Sequence, residues 1–152
     1  MSKLYFIVNT NAKTGNANQV WRQVHDFLRQ KHIPYEAYET KYVGHATVLA
    51  RELSKKREKA VYLIAVGGDG TVNEVLNGIT DFEKVRLGVI ASGSGNDFGK
   101  GMGILTDPIV CMRQILKCIR REKHGIPIKK TDLGQVTWGN GKKHRIFGIS
   151  AG

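Results

Sequence analysis

Leu4 to Val8 is a short continuous apolar run, the mark of a strand buried on both faces. The polar stretch Asn9 to Asn18, with Gly15 inside it, predicts a loop. Val20, Trp21, Val24, Phe27 and Leu28 then recur at helical spacing, and the helix they predict ends near Lys31. Pro34 opens a second strand, Tyr35 to Thr40. Ala46, Leu49, Ala50 and Leu53 form a second amphipathic stripe, followed by the charged run Lys55 to Lys59. Ala60 to Val66 is the strongest strand signal, and Gly67–Gly68–Asp69–Gly70 breaks it sharply. Thr71 to Gly78 predicts a helix with Gly78 as its stop. Val85 to Ala91 predicts a fourth strand, broken by Ser92–Gly93–Ser94–Gly95–Asn96–Asp97. Pro108 starts a long helix with Ile109, Met112, Ile115, Leu116 and Ile119 on one side. After Gly125 the pattern changes: Ile126 to Trp138 reads as extended, Gly139–Asn140–Gly141 as a turn, and His144 to Ser150 as a return strand.

Strand, loop and helix thus alternate four times, which predicts a parallel sheet with helices on both faces. The expected organisation is an α/β domain over 1–125 and an extended hairpin over 126–152. There is no internal repeat and no low-complexity linker. The last residues, Arg145 to Gly152, stop within or just after an apolar strand, so the chain is expected to be the front part of something longer.

Composition narrows the class. Of 152 residues, 41% are hydrophobic and 24% charged, which excludes a disordered chain, a collagen-like fibre and a disulfide scaffold. No apolar run approaches the length of a membrane-spanning helix, and Met1 to Val8 followed by Asn9 does not read as a signal peptide. The formal net charge is +11, and residues 113–145 alone carry ten basic against two acidic side chains. Such a segment suits nucleic acid, an anionic membrane surface or a phosphate-rich ligand, or is simply a solvated helix face and hairpin. Aromatic residues are not interleaved with the basic ones at a stacking period, which argues against nucleic acid. Cys111 and Cys118 are seven apart on a predicted helix, about 10 Å along its axis and beyond disulfide reach. They are expected to be buried thiols in a reducing cytoplasm. The histidines are scattered and nothing suggests zinc.

The chemistry concentrates in two glycine-rich loops, each after a predicted buried strand. In an open α/β sheet both would open at the same edge, where ligands bind. In Gly67–Gly68–Asp69–Gly70–Thr71–Val72–Asn73–Glu74 three glycines in four positions let backbone N–H groups approach phosphate oxygens, and the following helix adds its positive end. Asp69 opposes a bare polyphosphate unless it works through Mg²⁺ or takes a proton from a hydroxyl. The alternative is a tight turn with Asp69 as helix cap. Ser92–Gly93–Ser94–Gly95–Asn96–Asp97–Phe98 repeats this chemistry. There is no P-loop motif, no dinucleotide fingerprint after the first strand and no protein-kinase signature.

GGDGTVNEV followed by SGSGNDF resembles the diacylglycerol kinase catalytic domain family, which includes bacterial lipid kinases and the sphingosine and ceramide kinases, with NAD kinases and phosphofructokinases more distant. The resemblance extends to Asn9–Thr10–Asn11–Ala12–Lys13, to Thr40 with Gly44–His45–Ala46, and to Thr131–Asp132–Leu133–Gly134. It implies a three-layer, Rossmann-like nucleotide-binding domain leading toward a β-rich second domain. It implies ATP as donor, Mg²⁺, and a membrane lipid hydroxyl such as that of diacylglycerol as acceptor. The implied nucleotide site is Asn9, Thr10, Asn11, Ala12, Lys13, Thr40, Gly67, Gly68, Asp69, Gly70, Thr71, Val72, Asn73, Gly93, Ser94 and Asn96. Asp69 would be catalytic, with Asp97 and Asp132 in a carboxylate network near the metal. Thr10 and Lys13 replace the family's Pro and Gly, and Ser94 its usual Thr. Because the second domain carries direct metal ligands and a catalytic Glu, these residues alone are expected to be inactive as a kinase. The expected location is cytoplasmic and peripheral at the inner membrane face, with 113–145 against anionic lipid, no nucleic acid, and a dimer left open. The alternatives are an NAD-kinase-like small-molecule kinase and a truncated, non-catalytic nucleotide-binding module.

Overall fold

The computed structural model describes residues 2–10, 16–91, 107–127, 130–132 and 145–147. The elements follow in the order β1 (Leu4–Val8), α1 (Asn16–Gln30), β2 (Tyr35–Glu39), α2 (His45–Ser54), β3 (Val61–Gly67), α3 (Asp69–Gly78), β4 (Val85–Ala91), α4 (Pro108–Lys123), β5 (Lys130–Asp132) and β6 (Arg145–Phe147). The first four strands form one parallel sheet in the order β2-β1-β3-β4. β5 and β6 form a separate antiparallel pair, Thr131 opposite Ile146, and β6 approaches β4. The expected parallel α/β architecture is the one observed.

Strand order decides where the helices go. The chain steps from β1 outward to β2, then back across β1 to β3 and on to β4. Right-handed crossovers then place α1 on one face and α2 and α3 on the other. The packing agrees: α2 lies against α3, and α1 against α4. Every residue of β1 and of β3 is buried, which is why both read as unbroken apolar runs. β2 is an edge strand with no fully buried residue, so it carries Glu36 and Glu39, each directly after a tyrosine. Phe6 is buried in the middle of β1, with the rings of Trp21 and Tyr35 at 5.2 and 6.0 Å. The α2–α3 contact is close enough that a Cβ on Gly78 would lie 2.2 Å from the Thr47 carbonyl oxygen.

Several boundaries differ from the sequence expectation. α1 begins at Asn16, within the expected loop. α3 begins at Asp69, two residues early, and its cap is Gly68 without a side-chain cap bond. Asp69 is therefore the first helical residue and not a cap. α4 begins as expected at Pro108, because the Asp107 carboxylate accepts the N–H groups of Ile109 and Val110 at 2.9 and 3.1 Å. Cys111 is buried, but Cys118 is only half-buried. Neither is in a disulfide among the described residues, and burial, then Asp107, pushes the Cys111 thiol up to about 11. Of the expected strand 126–138, residues 130–132 form β5; the expected turn at 139–141 lies outside the described residues.

Candidate active site

The connections from β1 and from β3 leave toward opposite faces of the sheet, so a crevice opens between the carboxyl ends of these neighbouring strands. Backbone ladders continue one residue past the strands there. Asn9 N–H donates to the Val66 carbonyl, and Thr40 N–H to the Val8 carbonyl, both at 2.9 Å. Asn9, Thr40 and Gly67 are thereby brought side by side, although they come from three separate parts of the sequence. The Asn9 amide donates to Thr71 Oγ1 at 3.1 Å, tying the exit of β1 to the start of α3.

The four positions Gly67–Gly68–Asp69–Gly70 divide by what their backbones need. A Cβ on Gly67 would sit 2.6 Å from Thr71 Oγ1, so this glycine lets the buried Thr71 side chain fold back over the end of β3. Gly68 and Gly70 have no such reason. A Cβ on either would meet nothing within 4 Å among the described residues, and Gly68 has an ordinary extended backbone, φ −92° and ψ −170°. Gly70 within a helix costs about 1 kcal/mol relative to alanine. Neither packing nor strain asks for a glycine at these two positions, and the space beside each is open. That space is what a ligand needs to reach the first amides of α3, where the positive end of the helix lies.

The opposite wall comes from the β2–α2 connection. Gly44 caps α2 in the left-handed region at φ 92°, where only glycine rests without strain. Its N–H donates to Glu74 Oε1 at 2.9 Å, and the Thr47 hydroxyl donates to the Glu74 carbonyl at 2.8 Å. Glu74 thus fastens the loop to α3. Between the walls lies a cleft of about 230 Å³ lined by Asn9, Thr40, Tyr42, Val43, Ala46, Thr71 and Glu74.

Among the residues expected to form the site, Asn9, Thr40 and Thr71 line this cleft, and Gly67, Gly68, Asp69 and Gly70, the glycine corner, lead from β3 into Thr71 without lining it. Thr10 follows Asn9 at the exit of β1. Val72 faces away: its side chain is in the core and its N–H donates to the Gly68 carbonyl. Asn73 accepts from the Asn77 amide through its carbonyl at 2.9 Å. Asn11, Ala12, Lys13, Gly93, Ser94, Asn96 and Asp97 lie outside the described residues, and Asp132 lies in β5. Tyr42, Val43 and Glu74 were not among the expected site residues. Glu74 stood within the quoted GGDGTVNEV motif, but nothing in the sequence signals its bond to Gly44 across 30 positions.

Residues 3–127 match the model of the family described as Diacylglycerol kinase catalytic domain. The chain belongs to this family. Among curated proteins, the Bacillus subtilis (strain 168) protein named Putative lipid kinase YtlR is 33% identical over 149 residues, 97% of this chain and 46% of that protein. The Diacylglycerol kinase of Staphylococcus aureus (strain bovine RF122 / ET3-1) is 41% identical over 127 residues, 81% of this chain and 37% of its own length. Among solved structures, one described as a putative diacylglycerol kinase from Bacillus anthracis str. Sterne superposes with a TM-score of 0.62 at 26% identity, covering 86% of this chain and 44% of that one. The chain spans less than half the length of these relatives.

The family's use of ATP makes Mg²⁺ a group to test against the residues present. The described residues contain no cluster of three or more His, Cys, Asp and Glu that could hold a metal ion. A dedicated protein cage is not what Mg²⁺ needs in a nucleotide site, where one or two carboxylates and the phosphates complete its shell. Asp69, at the glycine corner beside the open space at Gly68 and Gly70, is of that kind. The donor chemistry fits a metal that arrives with its nucleotide.

Proposed function

We propose that these residues form the nucleotide side of a lipid kinase, holding ATP while its γ-phosphate passes to a lipid hydroxyl such as that of diacylglycerol. The observation that carries this reading is the pair Gly68 and Gly70, two glycines without a structural reason beside open space at a helix N-terminus. Phosphoryl transfer asks little covalent chemistry of a protein and much positioning and charge neutralisation. The amides at the start of α3 bind and orient the phosphates. Asn9 and Thr71, coupled to each other, and the buried Thr40 supply fixed polar groups along the cleft. Asp69 holds its carboxylate at the phosphate end, where it orients the metal–nucleotide or takes the acceptor hydroxyl's proton. Mg²⁺, when bound, neutralises charge that develops on the phosphate oxygens. Asn11 to Lys13, Gly93, Ser94 and Asn96 complete the nucleotide site in this reading, and Asp97 and Asp132 the carboxylate network. Residues 1–125 form the α/β domain and 126–152 the hairpin toward a second, β-rich domain that supplies the lipid side. The 152 residues alone bind nucleotide without turning it over.

The exposed side of α4 carries Arg113, Lys117, Arg120, Arg121 and Lys123, and we place it against anionic lipid headgroups at the inner membrane face. No helix among the described residues is long and apolar enough to cross a membrane, so this contact is peripheral. Charge reversal of Lys117, Arg120 and Arg121 should abolish co-sedimentation with anionic vesicles; unchanged co-sedimentation would remove the membrane assignment.

The activity is tested on the complete natural gene product with γ-labelled ATP and, separately, diacylglycerol in mixed micelles and NAD. Label in the lipid fraction, lost on the order of a hundredfold in Asp69→Asn while nucleotide affinity changes little, is expected. Label in NADP would replace the lipid reading, and binding without transfer to either would reduce the protein to a nucleotide-binding module.

A further inference from the structure

The loop from Lys41 to Gly44 is held at both ends. Gly44 N–H is fixed by the Glu74 carboxylate, and Lys41 N–H donates to His45 Nδ1 at 2.9 Å. The second bond orients the His45 ring, and Tyr42 lies flat on it, centroids 4.5 Å apart and planes at 13°. Despite this contact Tyr42 remains 59% exposed, and its neighbour Val43 is 94% exposed. Large apolar side chains gain by leaving water. Here two of them stand at the lip of a cleft on a loop tied at Lys41 and Gly44. An aromatic ring fixed in orientation, with one face backed and the other toward open space, is a prepared platform for a second flat ring, since its ordering cost is already met.

The cleft beyond the platform narrows the choice of occupant. Its lining mixes the polar side chains of Asn9, Thr40, Thr71 and Glu74 with Ala46 and Val43, which suits a base and its ribose, flat rings edged with polar groups, better than a hydrocarbon chain. We infer that Tyr42 stacks the nucleobase of the bound nucleotide, with His45 as its backing, Val43 at the rim, and the phosphates running toward Gly68 and Gly70. The inference rests on the nucleotide reading above and adds the direction in which the nucleotide lies and the residue that holds its base.

Calorimetric titration separates base from phosphates. The chain and its Tyr42→Ala and Tyr42→Phe variants are titrated with adenylyl imidodiphosphate and, separately, with inorganic tripolyphosphate, each with Mg²⁺. Stacking predicts that Tyr42→Ala weakens the adenine ligand about tenfold. Tyr42→Phe should stay within twofold, and neither variant should change tripolyphosphate binding. Equal affinity of Tyr42→Ala and the parent for the adenine ligand would overturn the inference and leave the nucleotide reading standing. So would equal weakening of both ligands, which would make Tyr42 a prop for the loop. A parent chain that binds neither ligand would overturn both readings.

Discussion

The two ends of the same four strands are built to opposite rules. At the amino end, polar groups are closed onto one another. The Tyr5 hydroxyl donates to Glu58 and the Tyr62 hydroxyl to Glu122, both at 2.5 Å, and Arg86 Nε donates to the other Glu122 oxygen at 2.9 Å. Burial first, then the carboxylate partner, raises both phenols well above their ordinary range, and the Tyr5 bond lowers Glu58. At the carboxyl end the backbone is left open, with two glycines facing empty space and two apolar side chains held in water. Closed polar networks hold a fold together. Open amides and exposed side chains add little to folding, and at the carboxyl edge of an α/β sheet they suit a binding site. The proposed function assigns stability to one end of the sheet and nucleotide binding to the other, and the division can be tested by substitution at each.

The largest stability effect is expected at the amino end. Glu122→Ala removes the acceptor of the Tyr62 hydroxyl and the carboxylate partner of Arg86 together, while the Arg86 bond to the Glu83 carbonyl remains. We expect a loss of about 2–3 kcal/mol by urea unfolding, with nucleotide affinity of the folded fraction unchanged. A matching fall in affinity would mean that the two ends are not separate.

Gly67→Ala sits on the boundary. Its Cβ would collide with Thr71, so it should cost about 1–3 kcal/mol by urea unfolding and also weaken nucleotide binding, because Thr71 lines the cleft. Asn9→Ala deletes the bond to Thr71 Oγ1. About 1 kcal/mol should go from stability by thermal melting, with a several-fold loss of affinity by calorimetry.

The smallest effect is visible only in alkali. Native Tyr62 keeps its proton at pH values where the unfolded chain has begun to lose it near pH 10. Its contribution is therefore complete below pH 10 and drains away as pH rises further. Tyr62→Phe should flatten the fall of unfolding free energy above pH 10, by at most about 1.4 kcal/mol per pH unit, and leave the curve below pH 9 parallel to the parent's.

How much of this was legible depended on whether the cause was local. β1 and β3 were legible from their residues because both faces of each are covered, which demands apolar side chains throughout. β2, an exposed edge, was marked mainly by Pro34. The start of α3 was placed two residues late, since Asp69 and Gly70 are poor helix formers; the turn is completed by the Val72 N–H on the Gly68 carbonyl. Cys118 was placed on the buried stripe with Cys111, but seven residues fall about 20° short of two full turns, and it sits on the shoulder of the helix. The glycine corner was legible as chemistry. The opposite wall was not, because it depends on contacts between distant residues: Glu74 with Gly44, and Asn9 with Thr71. Tyr42 carried no signal at all, since an exposed tyrosine in a loop is ordinary until its place at the cleft is known.

The central claim is that the open space at the glycine corner is reserved for a nucleotide. Gly68→Val tests it most directly, because the new side chain meets no atom of the described residues within 4 Å at its Cβ and fits the existing extended backbone. The account predicts that the chain binds adenylyl imidodiphosphate with Mg²⁺ by calorimetry. It predicts that Gly68→Val weakens this binding at least thirtyfold, about 2 kcal/mol, while its melting temperature is unchanged. A Gly68→Val variant that binds as tightly as the parent would contradict the account and put the phosphates elsewhere.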